Sequence, residues 1–342
     1  MPPVDMRSDT LTMPSPEMRR AMAEAEVGDD VFGEDPSINR LQELAAAAVG
    51  EPAGLFVPSG TMGNLLGLLA QLRSGQELIA DADSHVFNYE GGGMATLGGV
   101  QVRPLATERG IMTGAEVATA IRPTNDHHQP LTGAVTIENT HNRHGGVAWP
   151  VAAIREVADV AHAHGLALHM DGARIFNAAL AVGVPAQEVA EPCDTVTFCV
   201  SKGLGAPVGS VLCGPADVIE RAARWRKMVG GGWREAGVLA AAGVMALESG
   251  VDQLPTDHAN ARTLAEGLSE LPGIEIDLDR VQTNLVIFKP TAISAEQFLA
   301  ECAARGIRGG GGYGRVRFVT HNGVTAADVQ RALEVCSEVL GA

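Results

Sequence analysis

The chain has 342 residues, 46% of them hydrophobic, with 25 Lys and Arg against 41 Asp and Glu, a formal net charge of −16. That length allows a large core shared between a major and a minor domain, and the acidic excess speaks against nucleic acid or an anionic membrane surface as partner, because both require a basic face. Five cysteines, Cys193, Cys199, Cys213, Cys302 and Cys336, form no C-x-x-C pair; with neither a secretory signal nor an apolar run of about 20 residues, they read as reduced thiols of a cytoplasmic protein.

Residues 5–12 are polar and without periodicity, an arm. Ser15-Pro16-Glu17 opens a short helix, Ser15 capping it and Pro16 in its first turn, and 28–36 is an acidic loop. A helix over 35–49 follows, with Ile38, Leu41, Leu44 and Ala48 on one face and Gly50 as its stop. Leu55-Phe56-Val57 is a strand, and 58–64 turns into an apolar helix over 65–72. Strand, Ser59-Gly60-Thr61 turn and helix start make an anion pocket, because unpaired backbone N–H groups and the helix dipole face the ligand. His85 lies in the loop 81–93. Thr113 and Glu116 form a capping box for a helix to 121, the polar link 126–129 carries His127 and His128, and a strand occupies 133–137. Together with His141 and His144 these histidines raise the question of a metal cluster; no H-E-x-x-H or C-x-x-C spacing accompanies them, and no metal is expected.

From residue 151 the pattern alternates: helix 151–164, strand 167–170, helix 175–182, strand 195–200, strand 209–213, helix 215–228. This βαβ rhythm implies right-handed crossovers and a parallel sheet. One strand ends in Asp171-Gly172-Ala173-Arg174, another in Ser201-Lys202-Gly203-Leu204-Gly205. In one parallel sheet Asp171 and Lys202 project from the same carboxyl edge, where open α/β sheets keep their ligands. A poorly solvated lysine there is a Schiff-base former. The pair suits pyridoxal phosphate, the lysine on its aldehyde and the aspartate on its ring nitrogen. The glycine-rich segment 229–234 and helices near 239–247 and 253–271 lead to a smaller α+β portion, with strands 285–288 and 316–319, helices 294–305 and 325–340, and the glycine-dense 309–314 as a flexible loop. The expected divisions are 1–30 (arm and helix), 31–250 (large domain) and 251–342 (small domain).

Six segments run in order along nearly the whole chain: Arg7-Ser8-Asp9-Thr10, residues 28–36, Glu138-Asn139-Thr140-His141-Asn142, residues 171–177, Ser201-Lys202-Gly203-Leu204-Gly205 and Arg224-Trp225-Arg226-Lys227-Met228. Together they resemble the low-specificity L-threonine aldolases, pyridoxal-phosphate enzymes of the aspartate aminotransferase superfamily, fold type I. The resemblance implies an α/β fold with a large, mostly parallel sheet and a smaller C-terminal α+β domain, and a cytoplasmic homotetramer whose active sites are shared between subunits. It implies that Lys202 carries the cofactor, Asp171 holds its ring nitrogen, Ser59, Gly60 and Thr61 cradle its phosphate, His85 stacks on its ring, and Arg234 reaches the phosphate of a neighbouring subunit. Ser8, Arg174 and Arg317 would hold the substrate carboxylate, Arg174 bordering the cofactor too and Arg315 competing with Arg317. His128, or its neighbour His127, would lie near the substrate hydroxyl. Where the family commonly has tyrosine this chain has Phe32. The implied reaction splits the Cα–Cβ bond of L-threonine, L-allo-threonine or another β-hydroxy-α-amino acid into glycine and an aldehyde, with His85, His128 or water taking the hydroxyl proton. A β-eliminating lyase or an aminotransferase would use the same Asp–Lys pair.

Overall fold

The computed structural model describes residues 2–341. In chain order its elements are β1 (Val4–Met6), α1 (Pro16–Ala23), α2 (Pro36–Val49), β2 (Ala53–Val57), α3 (Gly60–Leu69), β3 (Glu77–Asp81), α4 (His85–Asn88), α5 (Gly93–Thr96), β4 (Gln101–Leu105), α6 (Gly114–Ala120), β5 (Thr132–Glu138), α7 (Val151–Ala163), β6 (Ala167–Asp171), α8 (Ile175–Val182), α9 (Ala186–Ala190), β7 (Thr195–Cys199), β8 (Ser210–Gly214), α10 (Ala216–Met228), α11 (Gly237–Glu248), α12 (Leu254–Ser269), β9 (Ile274–Ile276), β10 (Leu285–Pro290), α13 (Ala295–Ala304), β11 (Ile307–Gly312), β12 (Arg315–Val319) and α14 (Ala326–Leu340).

Seven strands form one sheet in the order β2-β8-β7-β6-β5-β3-β4. β8 alone runs against the rest, antiparallel to β2 and β7, while β3 to β7 pair parallel. The carboxyl ends of β2, β3, β5, β6 and β7 therefore share one edge. Successive strand residues point to opposite faces: Leu55, Val57 and Leu212 pack with α3 and α10, whereas Phe56, Val211 and Cys213 pack with α2, α7 and α8. Covered on both sides, β7 is buried at every residue, hence its unbroken apolar and β-branched sequence.

Local signals set the helix ends. Asp35 caps α2, its Oδ1 accepting from Ile38 N at 3.0 Å, and Gly50 ends it at φ 74°. α3 starts at Gly60, earlier than its apolar run suggests, because Ser59 is the cap and its Oγ accepts from Met62 N at 3.2 Å. Gly63, which reads as part of a turn, and Gly67, inside the expected helix, are both points of close approach. A Cβ on Gly63 would strike Thr197, and one on Gly67 would lie 2.8 Å from Leu212 Cδ1.

The second sheet has five strands in the order β1-β11-β12-β10-β9. Phe288 meets Phe298 and Phe318 edge to face in its core, with ring centroids 5.6 and 5.3 Å apart, among residues of α12, α13 and α14. Two expectations change here. The amino-terminal arm is not free: β1 pairs parallel with β11, Val4 against Ile307 and Met6 against Gly309, and both apolar side chains are buried. Three residues are too few for a periodic signal, yet they complete the small sheet. The expected loop 309–314 is strand β11 and a tight turn at Tyr313-Gly314, both residues at positive φ. Gly309 is glycine because a Cβ there would run into the Phe318 ring. Gly309→Ala overpacks this core, and a loss of about 1–3 kcal/mol is expected in urea denaturation.

Candidate active site

A cleft of about 480 Å³ opens at the carboxyl edge of the large sheet. β2 delivers Ser59, Gly60 and Thr61 to it at the start of α3, where the first backbone N–H groups have no partner within the helix. β6 delivers Asp171, 3% exposed; its Oδ2 accepts from Asn64 Nδ2 at 2.9 Å and its Oδ1 from Ala173 N at 3.1 Å. β7 leads into Lys202, whose carbonyl accepts from Thr12 Oγ1 at 2.9 Å and whose side chain lines the cleft. Among the described residues neither Asp171 nor Lys202 makes an ion pair.

The remaining walls come from loops and from the small sheet. Ser8 lines the cleft and accepts from Thr10 N at 3.2 Å, capping a turn of 3₁₀ helix. Arg174, 7% exposed, is gripped in bidentate fashion by Asp9, Nε to Oδ2 at 2.7 Å and Nη2 to Oδ1 at 2.8 Å, leaving Nη1 outside that pair. Burial favours the neutral Asp9 carboxyl, but the Arg174 charge and hydrogen bonds outweigh it and hold Asp9 well below the usual carboxylate range. Arg317 on β12 donates from Nη1 to Asn142 Oδ1 and from Nη2 to the Arg7 carbonyl, both at 3.0 Å. Burial and the nearby Arg174 charge lower its pKa, so an anion between the two guanidinium groups would relieve both. Arg315, the competing arginine, lines a neighbouring recess rather than the cleft.

His85 opens the short helix α4 at the mouth. Its backbone N–H donates to Glu138 Oε2 at 2.6 Å and its ring Nδ1 lies 2.8 Å from Glu90 Oε1. Burial disfavours the charged ring, but the bond to Glu90 and the charges of Asp171, Glu90 and Glu138 prevail and raise its pKa above the ordinary histidine value. The neighbouring recess, about 730 Å³, shares His85, Asn142 and Arg317 with the cleft, and there Arg143 lies 3.9 Å above the Tyr313 ring.

The structure does not bring His128 or Arg234 to this cleft. His128 precedes the amino end of β5, the opposite edge of a parallel sheet; its side chain is 82% exposed and its Nδ1 meets Asp126 at 2.9 Å. Among the described histidines His85 is the one that lines this cleft. Arg234 is 55% exposed and pairs with Asp29 at 2.8 Å. Phe32 is exposed outside the cleft, so the lost tyrosine hydroxyl removes nothing from this chain's own site. Nor do the four histidines converge: His127 stacks on His128, while His141 and His144 cluster with Asp81, the donor atoms of those three within 4.8 Å of one another. Sequence reasoning missed Asn64, Glu90 and the roles of Asp9, Glu138 and Asn142. Glu138 and Asn142 had a signal in the quoted Glu138–Asn142 segment at the end of β5; Asn64 and Glu90 had none, since what marks them is long-range contact.

These residues fit pyridoxal phosphate. The nearly buried carboxylate of Asp171 accepts only from neutral donors and leaves room for a charged ring N–H, Lys202 makes no ion pair among the described residues, and the start of α3 offers a place for a phosphate.

The beta-eliminating lyase family pattern matches residues 5–291. The chain belongs to that family. It is 45% identical over 287 residues to the low specificity L-threonine aldolase of Escherichia coli K12, covering 84% of each protein. It is 41% identical over 346 residues to low-specificity L-threonine aldolase 1 of Arabidopsis thaliana, covering 98% of this chain and 96% of that protein. Among solved structures, a Leishmania major threonine aldolase superposes with a TM-score of 0.83 at 20% identity, over 99% of this chain and all of that one (100%). That likeness establishes the fold, the fold type I architecture expected for this family.

Proposed function

We propose that this chain is a pyridoxal-phosphate-dependent aldolase that cleaves L-threonine, L-allo-threonine and related β-hydroxy-α-amino acids to glycine and an aldehyde. One observation carries the reading: the Lys202 amine and the Asp171 carboxylate follow neighbouring parallel strands, β7 and β6, into one cleft that also presents Arg174 and Arg317. When bound, pyridoxal phosphate supplies an aldehyde for a Schiff base and a ring that draws off the electron pair of the broken bond.

The protein's own groups do the rest. Lys202 presents the amine, Asp171 keeps the ring nitrogen protonated, and Ser59, Gly60 and Thr61 face the phosphate. Arg174 and Arg317, with the Ser8 hydroxyl, grip the substrate carboxylate and so fix rotation about the bond from Cα to nitrogen, which selects the Cα–Cβ bond for cleavage. His85, at the mouth, accepts the β-hydroxyl proton directly or through water. The recess beside Asn142 and Arg317 takes the β-substituent, and its size suits a range of side chains. Exposed Arg234 serves a neighbouring subunit of a homotetramer, which sedimentation analysis tests.

The decisive experiment loads purified protein with pyridoxal phosphate and supplies L-threonine without folate or a keto acid. Glycine and acetaldehyde in equal amounts are expected, and borohydride reduction should fix the cofactor on the peptide holding Lys202. Ammonia and a keto acid as products would instead assign a β-elimination.

A further inference from the structure

Asn64, 1% exposed, faces three polar partners. Its Nδ2 lies 2.9 Å from both Glu90 Oε1 and Asp171 Oδ2, and its Oδ1 lies 3.2 Å from His169 Nε2. The reverse amide orientation would set an oxygen against two carboxylate oxygens, so the chemistry fixes it. His169 must then donate from Nε2, leaving Nδ1 to accept from Thr195 Oγ1 at 2.9 Å, while Thr195 Oγ1 accepts from Gln71 Nε2 at 2.9 Å. Burial lowers the His169 pKa to about 4, so this ring stays neutral and the direction of the chain is set near neutral pH.

Both Asn64 amide protons thus go to carboxylate oxygens, one on Asp171 and one on Glu90. The same Glu90 Oε1 lies 2.8 Å from His85 Nδ1. Burial and the Asp171 charge raise the Glu90 pKa while the hydrogen bonds from His85 and Asn64 oppose the rise; as a carboxylate Glu90 only accepts, which leaves the imidazole to donate. Among the described residues His85 Nε2 has no hydrogen-bond partner.

We infer that Glu90 is a positioning residue that locks His85 in its Nδ1–H tautomer and so leaves Nε2 bare to receive the proton of the substrate's β-hydroxyl. The second half of this statement rests on the aldolase reading; the first concerns the protein alone. The logic is that of an acid orienting a general base, with Asn64 tying that acid to the aspartate of the cofactor ring. Glu90 also raises the pKa of His85, as do Asp171 on β6 and Glu138 on β5; Tyr89 stands beside the ring at 5.7 Å, and the cations of the same cleft are Lys202, Arg174 and Arg317.

The first test is ¹⁵N NMR of the purified, histidine-labelled protein, with His85 assigned through His85→Gln. Above its midpoint, His85 is expected to show a protonated Nδ1 and a bare Nε2; the opposite tautomer overturns the inference whether or not threonine is cleaved. In Glu90→Gln the His85 midpoint is expected to fall by about one unit or more, since an opposite charge at hydrogen-bond distance is lost. Kinetically, Glu90→Gln should lower kcat roughly 10–100-fold, as loss of an orienting partner commonly does, move the acid limb of the kcat profile to lower pH, and leave the visible absorbance of bound cofactor unchanged. In a His85→Gln background the same change should cost nothing further. An unmoved His85 midpoint, or an equal loss in both backgrounds, would show that Glu90 does not act through His85.

Discussion

Lys202→Ala is expected to lose threonine cleavage by roughly 10³-fold, the middle of the range of about 10² to 10⁴ that a positioned proton-transferring side chain contributes. Three observations make the effect large. Lys202 lies just beyond a fully buried strand, and its carbonyl is held by Thr12 Oγ1. It makes no ion pair among the described residues; the anion whose charge acts on it, Asp9, is engaged by Arg174. No other lysine lines the cleft to replace it. Steady-state assay of glycine and acetaldehyde, with circular dichroism to confirm folding, checks the result. A variant retaining wild-type kcat would mean that the amine anchors nothing.

The second large effect falls on stability. Asp9→Asn keeps the shape of the side chain but removes the charge that neutralises buried Arg174, and breaking one partner of a buried ion pair costs about 3–5 kcal/mol. The urea midpoint should fall accordingly, and the KM for threonine should rise as Arg174 loses the bidentate grip that aims it. The pH dependence has a definite sign. Because the folded-state pKa of Asp9 lies below its unfolded value, its contribution is complete above the ordinary carboxylate range and is lost as pH falls toward the folded value. The wild type should therefore lose part of its advantage over Asp9→Asn in acid. A constant difference between the two proteins from pH 7 down to the acid transition would contradict this account.

Much of the large sheet was legible because two strong signals coincide there. Buried parallel strands such as β7 are continuous β-branched and aromatic runs, and their last residues carry the chemistry into the following loops, so Asp171 and Lys202 announced themselves. Two caps were equally readable: Ser15 and Thr113 each accept the backbone N–H that their position predicts. Glycine misled the reading in two places. In α3 and in β11 it marks close packing against Thr197 and Phe318 rather than a bend, and a sequence does not say which neighbour presses on a missing side chain. The histidines show the same limit. The family resemblance implies His128, or His127, near the hydroxyl, yet within one chain His128 precedes β5 and is exposed away from the cleft, whereas His85 lines it. Glu90 and Asn64 depend on partners from across the sheet, β6 among them, with nothing local to distinguish them from a solvated glutamate and an ordinary helix asparagine.

The pairing of β1 with β11 has a consequence for synthesis. Residues 4–6 find their neighbour only after residues 307–312 have left the ribosome, so an early segment waits for a much later one. Ser8 and Asp9, just behind it, gain their final places at that same late moment, as does Arg317, while the seven-stranded layer can already be assembled. A nascent chain can thus possess the lysine and aspartate of the cofactor face long before it can grip an amino acid, and catalytic competence arrives as the closing stitch of folding.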